Sequence, residues 1–357
     1  LSLHIDVQKN GSTVATLSAP VPMLKFAASG TSAADPYLIG HKEELLLLSY
    51  LSNQSASYGY NGKTTADYNQ AYYLLDADVD LTGVTDFTPI GSVKDNYQAE
   101  NCFRGHFDGK GLSITGMNIL WKAGDVNAEV NRVWGLFGAV QGVSGTQKAN
   151  IQNLVIKNAV LTHDTGNTSF YYNGTSGTAN NCYVGVLAGV VGANATIQNI
   201  EVSNCSITDE GSTQYGVAKH RLSVGGIIGR SQYSFASDAG DMNTTTTIRL
   251  LVSDCDITIN SAKFENGATS ADQYKVDVAG IIGSMMSSGA SATMPWPNYT
   301  YYTGKVKAIG KAMVSPLFSV GALRNNTRSD YDYYCNLYVG KINAAESDPV
   351  SNIFYDN

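Results

Sequence analysis

Charge is scarce in this chain. Asp, Glu, Lys and Arg make up 15 % of its 357 residues, against an average of about 25 %, so Asn, Ser, Thr and Tyr supply the surface, a composition that fits export. The little charge present is acidic, with a net value of -7 and a pI near 5.2. The basic footprint of a nucleic-acid binder is therefore missing, and nucleic acid is excluded as a partner. No apolar run approaches the roughly 18 residues of a membrane span, which excludes a transmembrane segment of helical type. The five cysteines, Cys102, Cys182, Cys205, Cys255 and Cys335, are odd in number and lack metal-ligand spacing, so neither a metal nor any other cofactor is expected. The stretch VGGIIG has a dinucleotide-like look, but polar loops follow it instead of a long helix and a distant carboxylate, and GHFDGKG lacks the Lys-Ser/Thr end of a phosphate loop. The chain begins at Leu1 and not Met, which is the expectation for a removed signal or lipoprotein peptide.

Glycine, by contrast, is plentiful at 36 residues, and much of it recurs in one phrase. VWGLFG ends at Gly138, VGVLAG at Gly189, VGGIIG at Gly229 and VAGIIG at Gly283, spaced by 51, 40 and 54 residues. A second phrase follows three of the four: IQNLVIKNAVLT from Ile151, IQNIEVSNCSIT from Ile197 and TIRLLVSDCDIT from Thr247. Self-similarity at such a period is the signature of a stacked solenoid. Within the second phrase, Leu154 to Ile156 and Ala159 to Leu161 are steps of two, as in strands, and the steps of three between them leave one extra residue for a bend. Asn158, Asn204 and Asp254 occupy the second bend, types that tolerate the left-handed conformation. Each coil is read as strand, bend, strand, bend, with the glycine phrase as a third side in which Gly135, Gly226 and Gly280 share a crowded register. Stacking then places Ile156, Val202 and Val252 in one ladder and Ala159, Cys205 and Cys255 in another. The expected fold is all-β, a right-handed parallel β-helix with a short N-terminal capping helix and long loop insertions.

The rest of the chain is organised around that stack. Residues 1–29 form a strand-like segment whose affiliation the sequence leaves open, 30–120 a capping module with the first coils, and 121–357 the repeats with their insertions. In HKEELLLLSYLSNQ, Leu45, Leu48 and Leu51, with Leu47 beside them, suit an amphipathic helix that covers the first coil, whose open edge would otherwise template aggregation. YYLLDADVDL alternates Leu75, Ala77, Val79 and Leu81 with Asp76, Asp78 and Asp80, as in a strand with three outward carboxylates. Leu112, Ile114, Met117 and Ile119 repeat the spacing of a coil. VKAIGKAMVS from Val306 reads as a worn fifth copy with Lys311 at the asparagine bend, and the stretches from Phe318 and Cys335 as a sixth.

The order GTSAADPYLI, Leu-rich helix, ADVDLTG, FTPIGS, FRGHFDGKG and repeated VGGIIG with IQNIEVSNCSIT resembles the Glug-motif β-helix proteins over roughly residues 30–345. The resemblance implies an adhesin-like protein of the type common in gut Bacteroidetes, secreted or anchored at the bacterial cell surface on the outer membrane. The motif also occurs in the non-catalytic region of IgA-cleaving metallopeptidases. No HExxH motif is present here, so peptidase activity does not come with the likeness, and no catalytic residue does either.

Chemistry has few places to sit. Asp76, Asp78 and Asp80 offer oxygen ligands of the kind calcium takes, but neighbours on one strand face lie about 6.6 Å apart, which favours a solvated acidic face. Arg104, His106, Asp108 and Lys110 could in principle supply the base and partner of a polysaccharide lyase or glycoside hydrolase, yet Asp108-Gly109 is equally a turn signature. His4, His41, His163 and His220 are scattered. Recognition is expected in the insertions, because a bare coil needs only about 20–30 residues and the excess must leave the scaffold. Phe170, Tyr171 and Tyr172 stand in one insertion, Trp296, Tyr299, Tyr301 and Tyr302 in another, and Tyr331, Tyr333 and Tyr334 in a third patch. Flat aromatic faces flanked by Asn and Thr suit the apolar faces and hydroxyls of sugars. These side chains are the candidate ligand-binding set, for a host or dietary glycan or for a surface protein; packing against the solenoid is the competing role.

Overall fold

The structure, a computed structural model, describes residues 2–9, 12–20, 24–55, 57–91, 102–122, 133–144, 146–164, 180–192, 194–209, 220–231, 249–260, 274–285, 299–309, 313–315 and 353–356. These residues build a parallel β-helix. One coil runs through the strands Ala149–Lys157, Val160–His163, Asn180–Gly185 and Ala188–Val191, and the next begins at Ala195–Ser203. Each strand pairs in parallel with its counterpart one coil away, so that four sides form: a long first sheet and three shorter ones.

The glycine phrase thus makes two sides of the coil where one was expected. Strands such as His220–Gly225 and Ile228–Ser231 belong to different sheets, with a turn between them. Gly226 sits in that turn, and a Cβ there would collide with the carbonyl oxygen of Gly280 in the next coil. The first copy turns one residue sooner, because Trp134 pairs with Val184 while Phe137 pairs with Ala188. Gly135 is still needed, since its Cβ would strike the Gly185 carbonyl.

The asparagine bends behave as the residue types demand. Asn158, Asn204 and Asp254 have φ of 55°, 54° and 53°, the left-handed region that short polar side chains tolerate best after glycine. Asn153 and Asn199, both with φ of 53°, form the other bend, but there the strand continues through it, and Ala149–Lys157 stays in one sheet. Inside, Ile156 lies over Val202 and Val202 over Val252, all with no solvent exposure. Each such aliphatic contributes roughly 1.5–3 kcal/mol. Cys205 and Cys255 are buried free thiols. Cys205 Sγ accepts the Ala159 N–H at 3.3 Å and donates to the Ser203 carbonyl at 3.2 Å. Burial pushes its thiol up to about 11, so it is an inert core group. Cys335 lies outside the described residues.

At the N-terminal end, Ser2–Lys9 and Ser12–Pro20 form an antiparallel hairpin that makes its own sheet. Helix α1 (Lys42–Ser52) buries Leu45, Leu47, Leu48 and Leu51, and Glu44 starts it by accepting the backbone N–H groups of Gly40 and His41 at 2.7 and 2.9 Å. The acidic strand differs from expectation. Tyr72–Leu75 and Val79–Asp80 are separate strands, and Ala77 between them is exposed where strict alternation would bury it. Asp78 instead reaches across to Ser113, accepting its N–H at 2.7 Å and its hydroxyl at 2.9 Å, while Asp80 accepts the Thr82 N–H at 2.8 Å.

The supposed fifth copy is also displaced. Val306–Ile309 pairs with Asp256–Asn260, on the second side, and the first side of that coil is Tyr299–Tyr302, paired with Arg249–Ser253. Val252 to Ile257 spans five positions where Tyr302 to Val306 spans four. That single deletion at the bend, closed by Gly304 against the Cys255 carbonyl, hides the match in the sequence. The proposed sixth copy, in the stretches from Phe318 and Cys335, lies outside the described residues; beyond it, the backbone of Ile353–Asp356 pairs antiparallel with Tyr299–Tyr302.

Candidate functional site

Side chains on the outer face of the long sheet fall into rows because the strands are in register. Tyr72, His106, Asn150 and Thr196 make one row, and Leu74, Asp108, Gln152 and Gln198 the next. Their neighbours Tyr73, Phe107 and Ile151 point the other way and are buried. The Tyr72 and His106 rings stack at 4.2 Å between centroids and 5° between planes. Partial burial pushes the His106 imidazole below its ordinary value, so the ring is neutral at pH 7 and offers one donor and one acceptor.

Asp108 is the end of an amide ladder. Its Oδ1 accepts from the Lys110 N–H at 2.8 Å and from Asn153 Nδ2 at 3.1 Å, and its Oδ2 from Gln152 Nε2 at 2.8 Å. Gln152 Oε1 in turn accepts from Asn150 at 2.8 Å and Gln198 at 2.7 Å, and Asn199 donates to Asn153 Oδ1 at 3.0 Å. Every amide points its N–H toward the carboxylate. Two acceptors, Asn150 Oδ1 and Gln198 Oε1, are left without a hydrogen-bond partner. A groove of about 150 Å³ opens over these rows, walled on one side by Ala33 and Pro36.

The other side chains singled out in the sequence are dispersed. Arg104 precedes the His106–Asp108 strand and gives its backbone N–H to Asn69, while Lys110 stands exposed in the following turn with φ of 54°. The four alternating polar residues therefore do not converge. Of the aromatic set, Tyr301 is half-buried on the outer face of the long sheet, three rungs beyond Ala149–Lys157. Tyr302 is in the core: it is fully buried and its hydroxyl donates to the Cys255 carbonyl at 2.9 Å. That placement follows from its register over Val252 and removes it from any surface contact. Tyr299 contributes its backbone to the same strand. Phe170, Tyr171, Tyr172, Trp296, Tyr331, Tyr333 and Tyr334 lie outside the described residues.

One pairing escaped the sequence reading. On the second side, Trp121, His163 and Asp209 stack in register with their side chains buried. His163 Nδ1 lies 3.5 Å from Asp209 Oδ1, and its ring is 4.4 Å from that of Trp121. The signal was the position two residues past the apolar one in AVLTH and CSITD. Among the described residues no group of His, Cys, Asp and Glu could hold a metal ion, and no helix is long and apolar enough to cross a membrane.

No family model matches the chain, and no curated protein matches it. Among solved structures, it is similar to a "putative immunoglobulin A1 protease" from Bacteroides ovatus, with 15 % identity and a TM-score of 0.31 over 83 % of this chain and 87 % of that one. The likeness is too slight to carry a fold or a function across.

Proposed function

We propose that this chain is a non-catalytic binding β-helix of an exported, adhesin-like cell-surface protein of the Glug-motif kind, whose ligand is a glycan. The observation that carries this reading is the placement of partly exposed aromatic rings on one outer face of the long sheet. Tyr72 and His106 stand at one end of it and Tyr301 further along the stack, four rungs or about 19 Å beyond His106, with the amides of Gln152 and Gln198 starting the interval. A rigid platform with aromatic surfaces and neutral hydrogen-bonding groups suits a polymer of rings and hydroxyls. The insertions are proposed as a second recognition element. Residues 165–179, with Phe170, Tyr171 and Tyr172, join the second side to the third, and residues 286–298, with Trp296, join the fourth to the first. Asp108, with both carboxylate oxygens already accepting hydrogen bonds, is better suited to holding the scaffold than to taking a substrate proton, which needs a base free to reach it. The charge-poor composition and the order of motifs support export to the surface.

Affinity electrophoresis against mucin, glycosaminoglycan and plant polysaccharides, with polymer size checked afterwards, tests the reading. Retardation with the polymer intact is expected. A shortened polymer would overturn the non-catalytic assignment, and migration unchanged by every polymer would overturn the glycan.

A further inference from the structure

From the geometry of the groove over Tyr72, His106 and Asn150 we infer that it is a subsite for a single neutral sugar residue of a glycan chain. This rests on the glycan reading but names a place that the aromatic insertions do not include. The groove holds about 150 Å³, well below the roughly 300–1,000 Å³ of sites that enclose a drug-sized molecule. It therefore fits one ring of a longer molecule and not a whole ligand. The parallel Tyr72–His106 stack and the Pro36 wall supply apolar surface of the kind a sugar ring face covers.

Charge decides the class of ligand. The ionisable side chains that face the groove are Tyr72, His106 and Asp108, while Tyr73, also along its lining, turns its ring into the core. Burial drives the Tyr73 phenol far above its ordinary value and its hydroxyl donates to the Tyr68 carbonyl, so Tyr73 stays neutral, and the His106 ring is neutral at pH 7. Asp108 is covered by three donors from Lys110, Asn153 and Gln152. An anion therefore finds no counter-charge there, and both oxygens of the one carboxylate are already occupied by donors. The groups left to a ligand are neutral: the imidazole, with one donor and one acceptor, and the Asn150 side chain, whose Oδ1 is buried and has no hydrogen-bond partner. A ring carrying several hydroxyls with one apolar face matches the imidazole and the aromatic surface beside it.

The test is a titration of the whole chain with neutral methyl hexosides and, separately, with a uronic acid and a short neutral peptide, following the histidine ring signals by NMR. The His106 signals are assigned by their loss in His106→Gln. The expected result is a saturable shift confined to the His106 ring with neutral sugars, with the other histidines unmoved. Tyr72→Ala should weaken the apparent affinity about tenfold, as the loss of an aromatic contact does, and Tyr72→Phe, which keeps the ring, should bind like wild type and guards against a folding defect in the alanine variant. A shift with the uronic acid or the peptide alone would overturn the ligand class, and unmoved His106 signals would overturn the site. Failure here with retardation retained in the electrophoresis would leave the binding solenoid standing and return recognition to the insertions, whereas loss of both would remove the glycan altogether.

Discussion

Two polar columns run along this stack, and they solve opposite problems. Outside, Asp108, Gln152 and Gln198 repeat like over like, and each amide satisfies its neighbour. Inside, His163 and Asp209 interrupt a column that is otherwise Trp121, Ile259 and Ala308. Repetition makes polarity inexpensive where water is at hand, because each new coil extends the ladder. In the core the same repetition offers nothing, so a buried polar residue must find a partner in the adjacent coil, and the column returns to isoleucine in the next. Polar groups in a solenoid are thus tolerated as long ladders on the surface and as isolated pairs within.

The inner pair gives the largest test. Replacing Asp209 with Ile, the residue that its own column carries at Ile259, should cost about 1–3 kcal/mol in urea denaturation, because it takes away the carboxylate that lies beside His163 in the core. The double variant with His163→Ile should recover most of that loss, since a buried pair exchanged for packed apolar groups is often neutral. A double variant as unstable as the single one would break the comparison. On the outer ladder, Gln152→Ala removes one donor to Asp108 and one shared acceptor, and should cost about 1 kcal/mol by the same measurement. A loss as large as that of Asp209→Ile would mean that the surface amides carry the stack. The smallest effect is expected from acid. The Ser113 N–H, and then its hydroxyl, hold the Asp78 carboxyl below the usual carboxylate range. The folded state then binds fewer protons than the unfolded one, so this contribution is full above the ordinary carboxylate pKa of about 3.9 and is lost as pH falls through the lowered folded value. Asp78→Asn should flatten that part of the melting-temperature profile and lower the neutral plateau slightly, to the level that the wild type reaches in acid.

The repeating parts were legible and the exceptions were not. Asn158, Asn204 and Asp254 announced their bend because a left-handed residue needs a restricted set of side chains, and the ladders over Ile156 followed from spacing alone. The division of the glycine phrase into two sides was hidden, since residues such as Val224 and Ile228 are apolar on both sides of the turn and show no alternation. Tyr302 was mistaken for a surface residue because one missing position at Gly304 broke the register with Val252. Ala77 looked inward only while 72–81 was taken as a single strand. Within the candidate site, the stack of Tyr72 on His106 depended on pairing residues 34 positions apart, which local pattern cannot supply.

Every rung from Tyr37–Ile39 to Tyr299–Tyr302 runs in the same direction, so a further coil could always be added, as a monomer joins a growing polymer. Ile353–Asp356 runs the other way, and the bridge between Ala27 and Leu38 does the same at the opposite end. A reversed strand acts as a chain terminator: it occupies the growing edge while presenting the wrong polarity to any incoming rung. Among the described residues, the parallel stack of the first side is thus met by antiparallel pairing at both edges.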